Sequence, residues 1–310
     1  HATQKKLPKI RQHKWGNLWG YVFIAPALTL YCVFQAWPII RGLYMAFSDY
    51  RWIIPETHGW RSFNGLANFR EMWLDETFWH SFGIAAKFTL VYVPATLALA
   101  LFVAVMIAKV KHPVMAGFYR VVSYLPVILP VSVAMVMWRS IYHTEFGYLN
   151  YFLKSVVGID KPPNWLGSSS WALWSVLIAA VWMNFGHQAL LFLIGIYNIN
   201  SEQYEAAAID GAGGWAQFRY ITLPWLKPIF VIVLVLSAGA LGTTTEMLVL
   251  YNTDGGPAES ALTVGLYIYR VAFAIGDMRM GYAASMSLVL GVISMLISGV
   301  VFRLLRTERA

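Results

Sequence analysis

The pattern of apolar and charged positions divides the chain into six long apolar segments separated by polar connections. Each segment holds at least 18 residues without Asp, Glu, Lys or Arg, and about 20 apolar residues form a helix that crosses a bilayer core. Because the hydrocarbon offers the backbone no hydrogen-bonding partner, such segments must be helical. The sequence therefore predicts six transmembrane helices, at about residues 20–47, 81–108, 118–142, 171–196, 228–250 and 279–303.

Composition excludes the main alternatives to a membrane protein. Hydrophobic residues make up 58% of the 310 residues and charged residues 12%, about half the usual share of roughly 25%. These charges are too few to coat a soluble globule or to form a nucleic-acid footprint, and disorder needs the opposite composition. Cys32 is the single cysteine, which excludes an intramolecular disulfide, and no Cys/His cluster has metal-site spacing. We expect an all-α integral protein of the lipid bilayer that binds neither nucleic acid nor metal.

The distribution of positive charge predicts the orientation. An even number of spans places both termini on one side, and Lys- and Arg-rich loops stay in the cytoplasm. The two tails and the second and fourth connections carry 13 basic and four acidic residues, whereas the rest of the chain carries 10 basic and 11 acidic residues. We therefore expect both termini in the cytoplasm, with a basic tail over residues 1–19 and one transmembrane permease domain over residues 20–310. The first apolar segment is too long for a cleaved signal peptide and lacks its small-residue cleavage site.

The connection between the fourth and fifth spans, residues 197–226, combines a short Ala-rich helix, a Gly-rich break and a second helix. Ser201 suits the N-terminal cap of the first helix, and Gly211, Gly213 and Gly214 allow a sharp turn between the two helices. Two interpretations are equally favoured on these grounds. The segment is either a helix–turn–helix that docks in a groove of another protein or an amphipathic linker on the membrane surface.

The same connection resembles the EAA loop of ATP-binding-cassette (ABC) importer permeases. The pattern of that loop is Glu-Ala-Ala, three residues, Gly, nine residues and Ile-x-Leu-Pro. Every anchor is present at its spacing: Glu205, Ala206, Ala207, Gly211, Ile221, Leu223 and Pro224. Asp210, in Asp-Gly-Ala, and the Gly-Gly-Pro at 255–257 resemble the carbohydrate-importer branch, similar to MalF and UgpA. The resemblance covers nearly the whole chain, because six spans with both termini inside also match that branch.

The resemblance implies a fold and a coupling mechanism. Permeases of this family have the type I importer fold, also called MetI-like or MalF-like. Their EAA loop is a coupling helix seated in a cleft on an ATPase subunit, where Glu205 would pair with a basic group and Gly211 would make the turn. ATP-driven closure of the ATPases moves the coupling helices and turns the permease from inward-facing to outward-facing.

The resemblance also implies partners and a location. The expected assembly is a heterodimer with a second homologous permease subunit, two ATPase subunits that hold ATP and Mg²⁺, and an extracytoplasmic sugar-binding protein that delivers the saccharide. The family implies the bacterial inner membrane. This chain has no G-x-x-x-x-G-K-[ST] phosphate loop. We therefore expect a transport subunit that binds no cofactor itself and is not an enzyme.

Polar residues inside the fourth and fifth spans mark either a substrate pathway or hydrogen bonds between helices. Asn184 lies about halfway along the fourth span, with His187 and Gln188 one turn further in on the same face. Their amide and imidazole groups suit sugar hydroxyls, and ties between helices are an equally favoured interpretation. The fifth span carries Thr243 and Glu246. Counting ~1.5 Å per residue from the start of that span places Glu246 near the outer surface, at a gate or rim.

Further candidates lie at the outer ends of other spans. Tyr282 and Ser285 fall in the outer half of the sixth span, where Tyr282 suits stacking on a sugar ring, although an interfacial position is favoured. Lys87 and Arg139 are expected to snorkel to the lipid headgroups. A second interpretation is that they attract an anionic sugar such as a uronate oligomer, since the chain also resembles the permeases of alginate importers.

These observations favour the permease subunit of an ATP-driven importer of oligosaccharides, with anionic, alginate-like oligomers as one substrate class. The alternative is an ion-gradient-coupled secondary sugar transporter. It is disfavoured because we expect no intramembrane carboxylate near the midplane to relay ions. A membrane-embedded enzyme would need a nucleophile–base or metal constellation, and the seven histidines show no such spacing.

Overall fold

The computed structural model describes residues 16–58, 62–243 and 245–305, and within these ranges the chain forms helices and their connections. Residues 1–15 of the expected basic tail and residues 306–310 lie outside the described residues. The α-helices are, in chain order, α1 (Gly16–Tyr31), α2 (Trp37–Ala46), α3 (Ala67–Leu74), α4 (Glu76–Ala108), α5 (Pro113–Ile128), α6 (Val131–Ile141), α7 (Tyr148–Phe152), α8 (Ala172–Tyr197), α9 (Ser201–Ile209), α10 (Gly214–Gln217), α11 (Leu223–Trp225), α12 (Lys227–Ser237), α13 (Thr245–Tyr251), α14 (Val264–Phe273) and α15 (Met280–Leu305). A short π-helical segment, Cys32–Ala36, joins α1 to α2.

Up to six stretches of the described chain have the length and apolar character of membrane spans. Four are single stretches: Gly20–Ala46, Glu76–Ala108, Ala172–Tyr197 and Met280–Leu304. Two more qualify if each bent pair of helices counts as one span: Pro113–Ile128 with Val131–Ile141, and Gly214–Trp225 with Lys227–Gly242. By length and composition the described chain therefore has four to six apolar spans. Five of the six predicted segments fall on these elements. The fifth, 228–250, overlaps its bent pair only over residues 228–242, and the first helix of that pair belongs to the predicted loop.

The third apolar segment is two helices at a sharp angle instead of one rod over residues 118–142. α5 and α6 are bent by 97° relative to each other. The break falls at Leu129 and Pro130, both of which have extended backbone with ψ of 135°. A residue before proline avoids the helical region because the proline ring crowds its backbone, so α5 ends where Pro130 begins the new direction.

The helices α4 and α8 form the central pair of the molecule. They approach closely because small side chains line their contact, including the buried Ala100 and Ala104 of α4 and Ala189 of α8. α5 crosses α8 at Gly186, where a Cβ atom would collide with the main-chain carbonyl of Ser123. The described part of α1 is exposed throughout, whereas α2 packs against α15.

Buried side chains form two clusters that share α4 and α8. The larger cluster joins the first halves of these helices to α6, α13, α14 and the start of α15, and it includes the fully buried Phe88, Met135 and Met247. The smaller cluster joins their second halves to the beginning of α12, around Phe192 and Leu226. The central helices α4 and α8 thus connect the smaller cluster, around Leu226, with the larger cluster.

The close crossing of α5 and α8 gives a test of the packing. Gly186→Ala should destabilise the protein by about 1–3 kcal/mol, because the added methyl group overfills a tight contact. Gly117→Ala, on α5, is the matched control, since its Cβ would have no atom within 4 Å. Thermal unfolding of both variants in detergent micelles makes the comparison. Equal midpoints would mean that α5 and α8 do not meet at Gly186.

Candidate functional site

The connection over residues 197–226 is an ordered pair of helical arms. α9 begins after Asn200, whose side-chain oxygen accepts a hydrogen bond of 3.1 Å from the Glu202 N–H. The N-terminal cap is therefore Asn200, and the cap predicted at Ser201 was wrong by one position. Asn and Ser both accept from the first free amide groups of a helix, so composition alone does not distinguish two such neighbours.

Gly211 ends the first arm with a left-handed turn. Its φ is +83°, a conformation that costs glycine little and other residues more. The Gly211 N–H donates to the Ala208 carbonyl at 3.1 Å, and the Ala212 N–H donates to the Ala207 carbonyl at 2.8 Å. This pair of bonds is the Schellman closure of a helix C-terminus. Gly213, in contrast, has an ordinary φ of −69°.

Hydrogen bonds hold the two arms together and a buried leucine attaches them to the core. The hydroxyls of Tyr204 and Thr222 share a hydrogen bond of 2.9 Å, and Gln217 Nε2 donates to the Ala212 carbonyl at 3.1 Å. Leu226, which ends the second arm, is fully buried in the smaller cluster with the second halves of α4 and α8. The connection is therefore fixed to the ends of the two central helices.

The remaining surface of the two arms is open. Most of the motif residues are exposed or half-buried: Glu205, Ala206, Asp210, Gly211 and Pro224 are exposed, and Ala207, Ile221 and Leu223 are half-buried. Large apolar side chains beside them are also uncovered, with Ile209 87% and Trp215 75% exposed. Contiguous exposed apolar groups of this size mark protein or membrane contacts.

A second feature is a cavity of about 360 Å³ between α4, α5, α8 and the break that separates α12 from α13. Five of the residues predicted for a substrate pathway line it: Asn184, His187, Gln188, Thr243 and Glu246. Its volume falls within the roughly 300–1,000 Å³ that small-molecule sites occupy. The structure thus brings polar residues from two separate spans to one place.

Some polar groups in the cavity have hydrogen-bond partners within the protein, and one buried group has none in the part of the chain that the structure describes. Asn184 Nδ2 donates to the Ala180 carbonyl at 2.8 Å, and Thr243 Oγ1 donates to the Ala240 carbonyl at 2.8 Å. Gln188 Oε1 is buried and has no hydrogen-bond partner within the described residues. A buried acceptor without a partner costs about 1–3 kcal/mol, which a ligand hydroxyl would recover.

Glu246 lines the cavity together with Asn184 and Tyr92 and does not lie at an outer rim. The count that placed it near the surface assumed an unbroken helix. The chain in fact leaves the α-helix after Ser237 and resumes it at Thr245. A carboxylate therefore lies beside the middle of α8, and the expectation that no such group exists was wrong. Tyr92 carried no signal in the sequence, because an aromatic residue in an apolar span is ordinary.

Tyr282 and Ser285 belong to a different arrangement and do not line the cavity. The Tyr282 hydroxyl donates to Asp75 Oδ2 at 2.7 Å, as does the Tyr267 hydroxyl at 2.7 Å. Ser285 Oγ donates to the Tyr282 carbonyl. Lys87 and Arg139 are exposed and also lie outside the cavity lining.

Asp75 joins three elements through its two carboxylate oxygens. Oδ1 accepts hydrogen bonds from the Thr77 and Phe78 N–H groups and so caps α4, while Oδ2 accepts from tyrosines on α14 and α15. Burial alone would raise the pKa of Asp75, but these four hydrogen bonds together hold it below its usual value. No pattern in the sequence pointed to this residue, because its partners are about 200 positions away.

Comparison with known proteins identifies the family to which this chain belongs. Residues 96–307 match the family described as "Binding-protein-dependent transport system inner membrane component". The chain belongs to this family. The resemblance carried by the EAA loop is thereby confirmed: the protein is a permease component of an ABC transport system, a membrane transport subunit that works with a substrate-binding protein, and not an enzyme.

Curated relatives extend over almost the whole permease. It is 35% identical over 306 residues to the probable ABC transporter permease protein YesP of Bacillus subtilis, covering 96% of this chain and 93% of the relative. It is 31% identical over 272 residues to the lactose transport system permease protein LacF of Rhizobium radiobacter, covering 87% and 88% of the two chains.

Solved structures show the same fold. A bacterial ABC transporter involved in the import of the acidic polysaccharide alginate superposes with a TM-score of 0.81 at 22% identity, covering 95% of this chain and 97% of that one. The bacterial alginate transporter in complex with its alginate pentasaccharide-bound periplasmic protein gives a TM-score of 0.80. The permease therefore has the all-helical ABC importer permease fold that the motif implied.

The hydrogen bonds of Asp75 predict an acid-dependent contribution to stability. Asp75→Asn should destabilise the protein by about 2 kcal/mol at pH 7, because bonds to a charged acceptor are lost. A carboxyl group whose pKa is lowered by folding stabilises the protein above its unfolded pKa, about 4, and loses this effect as pH falls through the lower folded pKa. The variant should therefore lose less stability than the parent between pH 7 and pH 3.

Thermal unfolding across that pH range provides the measurement. Asp160→Asn is the matched control, because Asp160 is exposed, and we expect it to follow the parent at every pH. Parallel pH profiles for the parent and Asp75→Asn would contradict the assigned role of the Asp75 carboxylate.

Proposed function

We propose that this permease conducts an oligosaccharide through the cavity between α4, α8 and the α12–α13 break. The observation that carries the proposal is the unpartnered, buried Oε1 of Gln188 among other polar groups in a cavity within the spans. Amide, imidazole and hydroxyl groups offer both donors and acceptors, as sugar hydroxyls require. Relatives named as lactose and arabinooligosaccharide transport permeases support a saccharide cargo.

The proposed assembly contains a second homologous permease, two ATPase subunits that bind ATP and Mg²⁺, and an extracytoplasmic sugar-binding protein. We infer that it lies in the bacterial inner membrane with both termini in the cytoplasm, which the concentration of Lys and Arg on that side supports. In this orientation the connection over residues 197–226 faces the cytoplasm. Its exposed apolar side chains are then available to an ATPase.

The loop over residues 197–226 is the proposed coupling element. Glu205 is exposed and lies in a rigid arm, as a group that pairs with a basic side chain of an ATPase should. A displacement of α9 would be transmitted to the second arm, and so to Leu226, through the Tyr204–Thr222 hydrogen bond. Leu226 directly precedes α12, whose later residues Val233 and Ser237 line the cavity. Movement of the loop would therefore displace a wall of the cavity.

One observation favours the alternative function, an ion-coupled carrier: Glu246 supplies a carboxylate in the cavity. The two functions differ in energy source. Uptake into proteoliposomes that requires internal ATP and persists when ion gradients are dissipated supports the importer. Uptake that continues without an ATPase and stops with the gradient would establish the carrier.

Removal of the unpartnered acceptor tests the pathway. Gln188→Ala in the complete transporter should lower the apparent affinity for saccharide about tenfold, because one hydrogen bond to the cargo is lost. Uptake and saccharide-stimulated ATP hydrolysis measure this change. Ile194→Ala, on an exposed face of the same helix, is the control for the loss of side-chain volume in α8. Unchanged kinetics in Gln188→Ala, with intact assembly, would assign that residue to helix packing.

The turn at Gly211 tests coupling. Gly211→Val should reduce saccharide-stimulated ATP hydrolysis and uptake at least about tenfold, because a β-branched residue resists positive φ by ~1–2 kcal/mol and displaces the arm. Gly213→Val adds the same bulk in the same loop at an ordinary φ, with no atom within 4 Å, and a much smaller loss is expected. Equal activity of the Gly211 variant and the parent would reject the loop as the coupling element.

A further inference from the structure

The charge of the cavity is a feature that the saccharide assignment does not use. Glu246 is its one acidic lining residue, and no Lys or Arg lines it among the described residues. No ion pair of the described chain involves Glu246 either. The other titratable side chains in the lining are His187 and Tyr92. The cavity wall supplied by this chain therefore presents a carboxylate without a fixed cation.

We propose that Glu246 determines specificity by favouring neutral or amino-bearing saccharides and rejecting uronates. This inference rests on the proposed function, because it assigns the substrate class of the same cavity. A carboxylate accepts hydrogen bonds from two or more sugar hydroxyls or from an ammonium group. A uronate brings a second negative charge into a confined space. With an effective dielectric constant of about 20, like charges roughly 6 Å apart lower occupancy on the order of a hundredfold.

The position of the cations supports the same conclusion. Lys87 and Arg139, the residues that suit attraction of an anionic sugar, are exposed and lie outside the cavity lining. Neither residue forms an ion pair with Glu246 within the described chain, so neither is a fixed counter-ion of that carboxylate. The likeness to alginate importers, at 22% identity, concerns the fold. The likeness of fold therefore does not assign a polyuronate cargo to this permease.

The electrostatic claim is testable without knowledge of the natural cargo. Cys32 is the only cysteine, so Cys32→Ser combined with Ala240→Cys places a single thiol in the cavity lining. Its rates of reaction with a cationic and an anionic methanethiosulfonate are measured by mass spectrometry on the complete transporter in nanodiscs. Glu246→Gln in this background should lower the cation-to-anion rate ratio at least about fivefold.

Two further variants control for other causes. Glu246→Asp keeps the charge and should keep the ratio, which separates charge from local folding. Glu145→Gln removes an exposed carboxylate of an outer connection and should leave the ratio unchanged. A ratio that does not respond to Glu246→Gln overturns the inference.

A protection experiment then tests the substrate class. Maltotriose or a glucosamine trimer should slow labelling of the same thiol at concentrations at which trigalacturonate does not, and Glu246→Gln should narrow this difference at least about fivefold. Protection by trigalacturonate equal to that by maltotriose in the parent overturns the inference and leaves the saccharide pathway intact. If neither maltotriose nor the glucosamine trimer slows labelling, the result counts against the saccharide pathway itself. The ratio of the labelling rates with the cationic and anionic reagents then tests the charge of the cavity separately.

Discussion

The structure depends on one constraint: inside a bilayer, every backbone N–H and C=O group must find its partner within the protein. An unpaired group in hydrocarbon costs several kcal/mol, so irregular backbone at that depth is tolerated only beside a cavity or another buried surface. The α-helical path of the chain ends at Ser237 and continues as a 3₁₀ segment, Ala238–Gly242, and Ala240 of this segment lines the polar cavity. The position of the cavity and the interruption of the helix are therefore two consequences of the same rule.

Close packing of the central helices follows from a second consequence of the membrane environment. Apolar side chains gain little by leaving lipid for a protein interior, so contact between helices must come from dispersion at short range and from hydrogen bonds. The alanines that line α4 and α8 and the glycine at the α5 crossing permit that short range. Large residues such as Phe192 and Leu226 then fill the space beside the second halves of these two helices. The same packing that holds the helices together also attaches the helical connection that follows α8.

The spans and the coupling motif could be predicted because both are local in sequence. An apolar run of 20 residues reports a helix without reference to the rest of the chain, and the anchors from Glu205 to Pro224 have fixed spacing along 20 positions. Asp75 could not be predicted, because its tyrosine partners lie about 200 residues away and come close only in the fold. Glu246 was misplaced for a related reason. Counting along a helix assumes continuity, and it neglected Gly239 and Gly242, which closely follow Ser237 and are poor helix formers.

The observed position of Glu246 in the cavity also bears on how the loop over residues 197–226 is connected to the cavity. α12 begins directly after the buried Leu226, which ends the proposed coupling loop. The last residue of α12, Ser237, lines the cavity. A helix of this kind transmits a displacement as a nearly rigid body, whereas the short 3₁₀ segment after it, Ala238–Gly242, has weaker hydrogen-bond geometry and suits a hinge. In the proposed mechanism, motion that enters at the loop would therefore be absorbed at the break beside Glu246. The group proposed to sense the charge of the cargo lies beside this break, so selection of the substrate and the change of access would involve the same few residues.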